Sequence, residues 1–316
     1  MAIGYQARAF APASVGNVGV GFDILGHALD AVGDIVVANR SDQQGVSIAG
    51  ITGVVEDLPT VVERNTAGRA VQSMWDALRP GFGVSLAIEK GIPLGSGMGG
   101  SAASAVAAVV AANALLREPL ELAGLFSHAL AGEAVASGSV HADNVAASLF
   151  GGLVYAYVGH QGDVRYARVP VPAGLRCVLV HPACEIQTRD AREALDANVA
   201  LAALVEHSAN LAGVLLACHS GDLALLRRSL CDVLIEPQRA HLVPGFARVK
   251  DAAIAAGALG CSLSGSGPSL FAWVEAAAAP DIAAAMSEAF ASEEMACDVW
   301  VSAIDAPGAR LTEQVE

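Results

Sequence analysis

The chain has 316 residues, of which 54% are hydrophobic and 16% are charged, so it can bury a sizeable core and is not expected to be disordered. Its formal net charge is −14, whereas a protein that binds duplex nucleic acid needs a basic surface to displace counterions from the phosphates. Nucleic acid is therefore excluded as an expected partner. ATP is not excluded, because a helix N-terminus, a few cationic side chains and a metal ion can hold phosphate locally.

The sequence gives no indication of a membrane protein. The longest apolar run, 102–116, is shorter than the ~20 residues that cross a bilayer, and we expect it to form a buried helix. The first residues lack the apolar core of a signal peptide. The six cysteines include no CxxC pair and are typical of small buried residues in a reducing compartment. We therefore expect a cytoplasmic protein that does not bind membranes.

In chain order, the first clear element is a strand over 83–89, in which apolar residues alternate with other residues. Gly91 and Pro93 end this strand. A glycine-rich loop follows, and then a long Ala- and Val-rich helix is predicted over 101–116. A second, amphipathic helix is predicted over 120–137.

The rest of the chain mixes strands and helices without strict alternation. Strands are predicted at 149–158, 164–169, 175–181 and 269–274, a hairpin turn at 161–163, and helices at 191–221 and 223–233. Pro170-Val171-Pro172 interrupts the pattern, so we place a domain boundary there and divide the chain into 1–169 and 170–316. This mixture favours an α+β fold over a doubly wound sheet.

The segment 95–101, between the first strand and the long helix, contains four glycines and two serines. Glycine permits positive φ and lets the backbone approach a ligand closely. The helix that opens at Ser101 adds free N–H groups and the positive end of its dipole. Such a loop is an anion site, and phosphate is its usual ligand.

Three kinds of nucleotide loop compete for this segment. A P-loop ends in Gly-Lys-Ser/Thr, but this loop ends in Gly-Gly-Ser and contains no lysine. The spacing of Gly95, Gly97 and Gly100 satisfies the dinucleotide-binding pattern GxGxxG. That fold also needs a second strand after the helix, ending in an acidic residue, whereas the residues after Leu116 begin another helix. The dinucleotide interpretation is therefore weak.

The third interpretation rests on the order Pro-x-Gly-x-Gly-x-Gly-x-Ser-Ala-Ala from Pro93 to Ala103. This order resembles the phosphate loop of the GHMP kinases, although Gly100 stands where the family usually has the first of two serines. The resemblance assigns ATP binding to Asn65, Lys90, Pro93, Leu94, Gly95, Ser96, Gly97, Met98, Gly99, Gly100, Ser101, Ala102 and Ala103. Asn65 has a simpler alternative role as a helix N-cap, with Thr66 opening the helix.

Further segments make the resemblance more specific. The segments 11–23 and 133–146 resemble two motifs of the homoserine kinase branch of the GHMP kinases, and 188–192, 236–239 and 263–269 have counterparts in the same order. The resemblance implies ATP-dependent phosphorylation of the side-chain hydroxyl of L-homoserine, in threonine biosynthesis. It implies a two-domain GHMP kinase-like fold, with an N-terminal α/β domain and a C-terminal ferredoxin-like α+β domain. It also implies a possible homodimer.

A kinase acting on homoserine must hold an amino acid by both of its charged ends. The ammonium needs a carboxylate, and the carboxylate is best matched by arginine, which can bind it with two parallel hydrogen bonds. By resemblance, Asp23 binds the ammonium, and Arg192 and Arg239 bind the carboxylate. By the same resemblance, the pocket is completed by Asn17, His141, Asn144 and Thr188.

The resemblance also assigns catalytic roles to Ser101, Glu133 and Asn144, with Ser101 and Glu133 as ligands of Mg²⁺. Asn144 stands where several GHMP kinases have an aspartate base, and a carboxamide cannot accept a proton in that way. We therefore expect Asn144 to orient the hydroxyl, and we expect the adjacent Asp143 to point elsewhere. A second glycine-rich loop, 264–269, is expected to pack against the first.

Two alternatives stay open from the sequence. The chain could be another small-molecule GHMP kinase, of the mevalonate or sugar type. It could also be a nucleotide-binding sensor that has lost catalysis. The combination of one carboxylate and two arginines favours a zwitterionic substrate over the first alternative, and the joint presence of Ser101, Glu133 and Asn144 argues against the second.

Overall fold

The structure is a computed structural model, and it describes residues 5–137, 141–159 and 162–315. The strands are β1 (Gln6–Gly16), β2 (Leu25–Ser41), β3 (Val46–Gly53), β4 (Gly83–Lys90), β5 (Leu153–Val158), β6 (Val164–Val169), β7 (Leu175–Pro182), β8 (Gly260–Leu263), β9 (Leu270–Glu275), β10 (Cys297–Ala303) and β11 (Arg310–Val315). The helices are α1 (Thr66–Leu78), α2 (Gly100–Asn113), α3 (Leu122–Ser137), α4 (Ala142–Phe150), α5 (Thr188–Glu193), α6 (Leu201–Ser220), α7 (Leu223–Ser229), α8 (Glu236–Arg239), α9 (Phe246–Ala255) and α10 (Ala279–Ala291). Short 3₁₀ turns lie at Val62–Arg64, Ala240–Leu242 and Ala276–Ala278.

The first sheet is built mainly from the N-terminal half of the chain. Its strands follow the order β11-β1-β2-β4-β3, and β5 and β6 extend it from the first part of β2. All of these pairs are antiparallel except β3 with β4. The last strand of the chain thus returns to the N-terminal sheet, and the proposed division into 1–169 and 170–316 stays a prediction.

Helix α2 lies at the centre of the first layer. Every residue from Ala102 to Asn113 is buried, because this helix packs against β1 and β2 on one side and against α1 and α3 on the other. A helix that is apolar all round is expected in such a buried position. The prediction that the apolar run 102–116 forms a buried helix is confirmed over the range of α2.

The second sheet has the strand order β10-β7-β9-β8, and its pairs are all antiparallel. Helix α9 comes between β7 and β8, and α10 comes between β9 and β10. This βαββαβ arrangement is the ferredoxin-like motif, as predicted for the C-terminal part of the chain. Helices α5 to α8 are inserted between β7 and α9.

One face of the second sheet shares the hydrophobic core of the first sheet, and its other face forms a second core with α9 and α10. Buried residues of the second sheet, such as Phe271 and Trp273, belong to the same cluster as the core of the first sheet. The indole Nε1 of Trp273 donates a hydrogen bond to Nε2 of His27 in β2, at 3.2 Å. Both side chains are fully buried, so this bond joins the two layers inside the core.

Several predicted elements need correction. The strand predicted from residue 149 begins at Leu153, because α4 continues to Phe150 and two glycines with positive φ follow it. The helix predicted over 191–221 is interrupted between α5 and α6, where the backbone N–H of Asp196 donates to the side chain of Gln238 at 2.7 Å. This tertiary bond and the polar residues of the segment outweigh its helical pattern. Helix α7 ends at Ser229, short of the predicted residue 233.

Strands β5 and β6 pair as an antiparallel hairpin, as the predicted turn at 161–163 implies. Residues 160 and 161 lie outside the described residues, so part of that turn does too.

In the described part of the chain, only α6 is long and apolar enough to cross a membrane by length and composition, and 28% of its most apolar window is buried. A single such helix is weak evidence, because core helices of soluble proteins pass the same test.

Candidate active site

The glycine-rich loop runs from the end of β4 to the first residue of α2. Gly95, Gly97 and Gly99 have positive φ values of 61°, 72° and 65°. Gly99 is the N-cap residue of α2, in the left-handed conformation that glycine adopts without steric cost. The first amides of α2 have no acceptor within the helix, so they are available to an anion held in the loop.

The second glycine-rich loop packs against the first, as predicted. The hydroxyl of Ser264 donates to the carbonyl of Gly97 at 2.8 Å, and the hydroxyl of Ser269 donates to the carbonyl of Ser96 at 2.7 Å. A Cβ atom added at Gly97 would lie 2.4 Å from the carbonyl oxygen of Ser264. Hydrogen bonds from the ferredoxin-like part of the chain therefore hold the middle of the glycine-rich loop in place.

A cavity of about 450 Å³ opens over this loop. The predicted residues that line it are Asn17, Asp23, Asn65, Lys90, Pro93, Leu94, Gly95, Ser96, Gly97, Met98, Gly99, Gly100, Ser101, Glu133, His141, Asn144, Thr188, Arg192 and Arg239. Ala102 and Ala103 do not line it, because their side chains are fully buried in the core behind the loop. One cavity thus collects nearly all of the predicted nucleotide and substrate residues.

Asn144 lies against the phosphate loop. Its carboxamide oxygen accepts a hydrogen bond from the Ser14 hydroxyl at 2.8 Å. A Cβ atom on Gly99 would lie only 2.9 Å from that oxygen and 2.1 Å from the Ser14 hydroxyl, so the missing side chain of Gly99 makes room for both groups. The structure therefore places a neutral, oriented carboxamide where the loop meets α2.

Ser101 and Glu133 lie next to each other in the lining of the cavity. The Ser101 hydroxyl donates to Oε1 of Glu133 at 3.0 Å, and Glu133 is buried on α3. Among the residues that the structure describes, no partner hydrogen-bonds to the other carboxylate oxygen, Oε2 of Glu133. A buried carboxylate oxygen without a partner is costly, and a bound cation would satisfy it.

His141 joins this carboxylate to the far end of the cavity. Its Nδ1 lies 3.1 Å from Oε1 of Glu133, and its Nε2 lies 3.5 Å from Nη2 of Arg192. Burial opposes protonation of His141, but the hydrogen bond and negative charge of Glu133, with Asp143 and Asp23 nearby, raise its pKa above the usual value. Favourable charge interactions thus outweigh desolvation at this histidine.

At the far end of the cavity, Arg192 forms a bidentate ion pair with Asp23. The two nitrogen–oxygen distances are 2.7 and 3.1 Å. Asn17 supports this arrangement, because its side-chain oxygen accepts from the backbone N–H of Asp23 at 3.0 Å and its amide donates to the carbonyl of Gly265. The two side chains predicted to bind opposite ends of an amino acid therefore lie in contact with each other.

Arg239 lies beside this pair and is almost fully buried. Its Nε donates to the carbonyl of Ala191 in α5 at 2.8 Å. Burial and the neighbouring charge of Arg192 lower the pKa of Arg239 to about 10, which still leaves it a cation at neutral pH. The guanidinium carbons of Arg192 and Arg239 lie 5.1 and 5.2 Å from the centre of the Phe22 ring, within the range of cation–π attraction.

Asn65 and Lys90 line the cavity, yet their polar atoms have partners in the protein. The Asn65 side chain caps α1 by accepting from the N–H of Gly68 at 3.2 Å, and its amide donates to Pro59. The simpler role of Asn65 as a helix N-cap is confirmed. The ammonium of Lys90 binds Asp34, so contact of either residue with a nucleotide stays a prediction.

Three residues that support the cavity lining were not identified from the sequence. Ser14 lies in the segment 11–23, but no local pattern distinguishes it from its neighbours. Asp34 is 56 residues from Lys90 in the chain, so no local pattern reveals the pair. Asp143 does not line the cavity, as expected, but its carboxylate supports two residues that do, because it accepts from the N–H of Asn17 and from the side chain of Asn144. Burial raises the pKa of Asp143 to about 6.

Comparisons with known proteins agree with this geometry. Residues 65–152 match the family described as GHMP kinases N terminal domain, and residues 214–292 match the GHMP kinases C terminal family. A homoserine kinase of Xanthomonas campestris pv. campestris is 52% identical over 97% of this chain and 94% of its own length. One from Chlorobium phaeovibrioides is 42% identical over 97% of the chain and 99% of its own length.

Solved structures place the chain in the same family. The crystal structure of homoserine kinase from Cytophaga hutchinsonii has a TM-score of 0.94, with 42% identity and coverage of 98% of both chains. Mevalonate kinase of L. major has a TM-score of 0.69 at 17% identity and shows the shared fold alone. With the glycine-rich loop, the oriented carboxamide of Asn144 and the Asp23–Arg192 ion pair around one cavity, the chain belongs to the GHMP kinases and, within them, to the homoserine kinase family.

Proposed function

We propose that this protein transfers the γ-phosphate of ATP to the side-chain hydroxyl of L-homoserine and releases ADP and O-phospho-L-homoserine. The observation that carries the proposal is the single cavity that joins the phosphate loop to the Asp23–Arg192 pair. A substrate with an ammonium and a carboxylate can satisfy both members of that pair while its hydroxyl reaches the loop. The homoserine kinase relatives support this substrate over mevalonate or a sugar.

Substrate binding would replace one ion pair with two. Asp23 would take the ammonium, and Arg192 and Arg239 would take the carboxylate. An alcohol with a single charge would leave one member of the pair without a partner, which costs more than the pair itself contributes. Asn17, His141 and Thr188 line the same end of the cavity and would complete the pocket.

Phosphoryl transfer passes through a loose transition state, so positioning and charge stabilisation contribute more than covalent assistance. The carboxamide of Asn144, oriented by Ser14, would hold the substrate hydroxyl in line with the γ-phosphate. The hydroxyl oxygen forms the new bond to phosphorus, the bond to ADP breaks, and the hydroxyl proton passes to a phosphate oxygen. No protein base is needed, which agrees with a carboxamide at this position.

The kinase family implies Mg²⁺ together with ATP. Among the described residues, no group of three or more His, Cys, Asp or Glu side chains is placed to hold a metal ion. Mg²⁺ keeps several waters, however, and needs only one or two protein oxygens. Ser101 and Glu133 would hold it, since Oε2 of Glu133 is buried and unpartnered. When bound, Mg²⁺ neutralises negative charge on the phosphates.

A coupled assay for ADP release with Mg-ATP tests the proposal. The acceptors are L-homoserine, L-serine, mevalonate and galactose, each tested at the same concentration. We expect turnover on L-homoserine and at least tenfold lower kcat/KM, as a rough bound, on the other three. Turnover on mevalonate or galactose instead would keep the kinase and discard the zwitterion pocket. ADP binding without turnover on any acceptor would favour the nucleotide sensor.

We also propose that the protein acts in the cytoplasm on this small molecule. Homodimer formation stays a prediction. Light scattering of the purified protein would decide it, since a dimer would have twice the mass of the 31.9 kDa chain.

A further inference from the structure

Asp34 is a fully buried carboxylate that no part of the proposed reaction uses. It lies in β2, and its two oxygens accept four hydrogen bonds. Oδ1 accepts from the backbone N–H groups of Gly91 and Ile92, at 3.0 and 3.3 Å. Oδ2 accepts from the Ser104 hydroxyl at 2.6 Å and from the ammonium of Lys90.

Lys90 extends these contacts to the first turn of α2. Besides Asp34, its ammonium donates to the carbonyl of Gly100 at 2.9 Å and to the hydroxyl of Ser104 at 2.8 Å. An ammonium has three N–H donors, and here three protein acceptors are in reach. The positive charge of Lys90 is therefore directed at the protein, although its side chain borders the cavity.

Together, Asp34, Lys90 and Ser104 hold both ends of the phosphate loop; we call them the loop clamp. At the start of the loop, the backbone N–H groups of Gly91 and Ile92 donate to one oxygen of Asp34. The first turn of α2, just after the loop, is bound through Lys90 and Ser104 to the other oxygen. One buried carboxylate thus fixes the distance between the entry and the exit of the loop.

We propose that Asp34 is a positioning residue for phosphate binding: through the loop clamp it holds the loop amides in the geometry that receives the phosphates of the nucleotide. Asp34 does not touch the nucleotide. The inference rests on the proposed function only in requiring that the loop binds a nucleotide; it does not depend on which alcohol is phosphorylated.

A competing account gives Lys90 a direct contact with the nucleotide and makes Asp34 its counter-ion. The two accounts predict opposite effects for Asp34→Asn. If Lys90 were a nucleotide ligand, loss of its counter-ion would free a cation beside the phosphates and tighten binding. If the loop clamp positions the loop, the same change weakens binding, because an amide NH₂ placed against an ammonium breaks the contact.

The test compares Asp34→Asn with the wild-type protein by calorimetric titration of ADP and of adenosine. The variant keeps the shape of the side chain and one oxygen for the Gly91 and Ile92 amides. We expect the Kd for ADP to rise about tenfold or more, while the Kd for adenosine changes less than about twofold. The KM for L-homoserine should also change less than about twofold, because the acceptor does not contact the loop clamp.

Ser104→Ala is the milder second variant, because it removes one link without leaving a charge unpaired, and alanine suits a helix. We expect a rise of about threefold in the Kd for ADP, again with little change for adenosine. Asp30→Asn is the matched control. Asp30 lies in the same strand and also pairs with a cation, Arg310 at 2.7 Å, but it does not border the cavity. This control should bind ADP as the wild-type protein does.

Several results would overturn the proposal. Tighter ADP binding by Asp34→Asn would make Lys90 a direct ligand. Equal losses for ADP and adenosine, or unchanged binding with only a lower Tm, would reduce the loop clamp to a structural role. If Asp34→Asn does not fold, unchanged ADP affinity in Ser104→Ala would be decisive against it. Wild-type protein that binds no ADP would overturn both proposals, whereas ADP binding without turnover of homoserine would overturn the proposed function alone.

Discussion

At the scale of single residues, the substrate pocket depends on charges that already pair with each other. Asp23 and Arg192 are each about two-fifths exposed, so solvent screens their attraction and the pair itself contributes little to stability. The pair is important for its geometry, because the two terminal nitrogens of Arg192 each donate to one carboxylate oxygen of Asp23. That geometry is ready to accept the carboxylate of a substrate instead.

Replacing Arg192 with lysine tests this point. Lysine keeps the charge but loses the planar fork that binds a carboxylate with two bonds. We expect the KM for L-homoserine to rise about tenfold or more, with the KM for ATP nearly unchanged. Steady-state kinetics with each substrate varied in turn provides the measurement. Arg165→Lys, on the exposed hairpin, is the control, and an unchanged KM for homoserine in Arg192→Lys would remove Arg192 from the pocket.

Asn144→Ala tests the positioning of the hydroxyl. The carboxamide binds Ser14 and lies against the loop, so its loss removes an orienting contact without removing a base. We expect kcat to fall about 100-fold while the KM for ATP stays within about threefold. Single-turnover measurements of phosphoryl transfer would isolate the chemical step. Full kcat in this variant would show that Asn144 does not orient the hydroxyl.

At the scale of elements, the correct predictions depended on local sequence. The glycine-rich loop and α2 were predicted because the spacing of glycines and a run of apolar residues are patterns within a short segment. Asp34 could not be placed, since its partners lie 56 and 70 residues away in the chain. The break between α5 and α6 was missed for the same reason, because it depends on a bond from Asp196 to Gln238 in α8.

Strand β11 gives a prediction at this scale. It is exposed along its whole length, and it pairs with β1, which contains the first part of the segment 11–23. Ending the chain at residue 309 should lower the Tm by about 5 °C, because β1 loses its outer partner. Differential scanning calorimetry would measure this loss against a control chain that ends at 315 and keeps the strand. An unchanged Tm would mean that β11 contributes nothing to the first sheet.

At the scale of the whole molecule, the two sheets are joined by the core that lies between them. His27 is neutral within that core, because burial lowers its pKa to about 4 and its Nε2 accepts from Trp273. In the unfolded chain a histidine titrates near 6.5. Between these two values the unfolded state binds more protons than the native state, so the free energy of unfolding falls as the pH falls from 6.5 to 4.

The expected loss from His27 is about 3 kcal/mol across this window, since each pKa unit corresponds to roughly 1.4 kcal/mol. His27→Gln removes the titrating group and should make the stability less dependent on pH between 4 and 6.5. Urea unfolding at several pH values would measure both slopes. Equal slopes in the wild-type protein and the variant would contradict a buried, neutral His27.

Transfer of the γ-phosphate of ATP to the side-chain hydroxyl of L-homoserine can be observed by ³¹P NMR of the reaction mixture. We expect a phosphomonoester signal that is split by two methylene protons and is formed in the same amount as ADP. Inorganic phosphate alone would show hydrolysis without transfer, and a new phosphorus signal without that splitting would place the phosphate elsewhere on the acceptor. Either result would contradict the positions assigned to Asn144, Asp23 and Arg192.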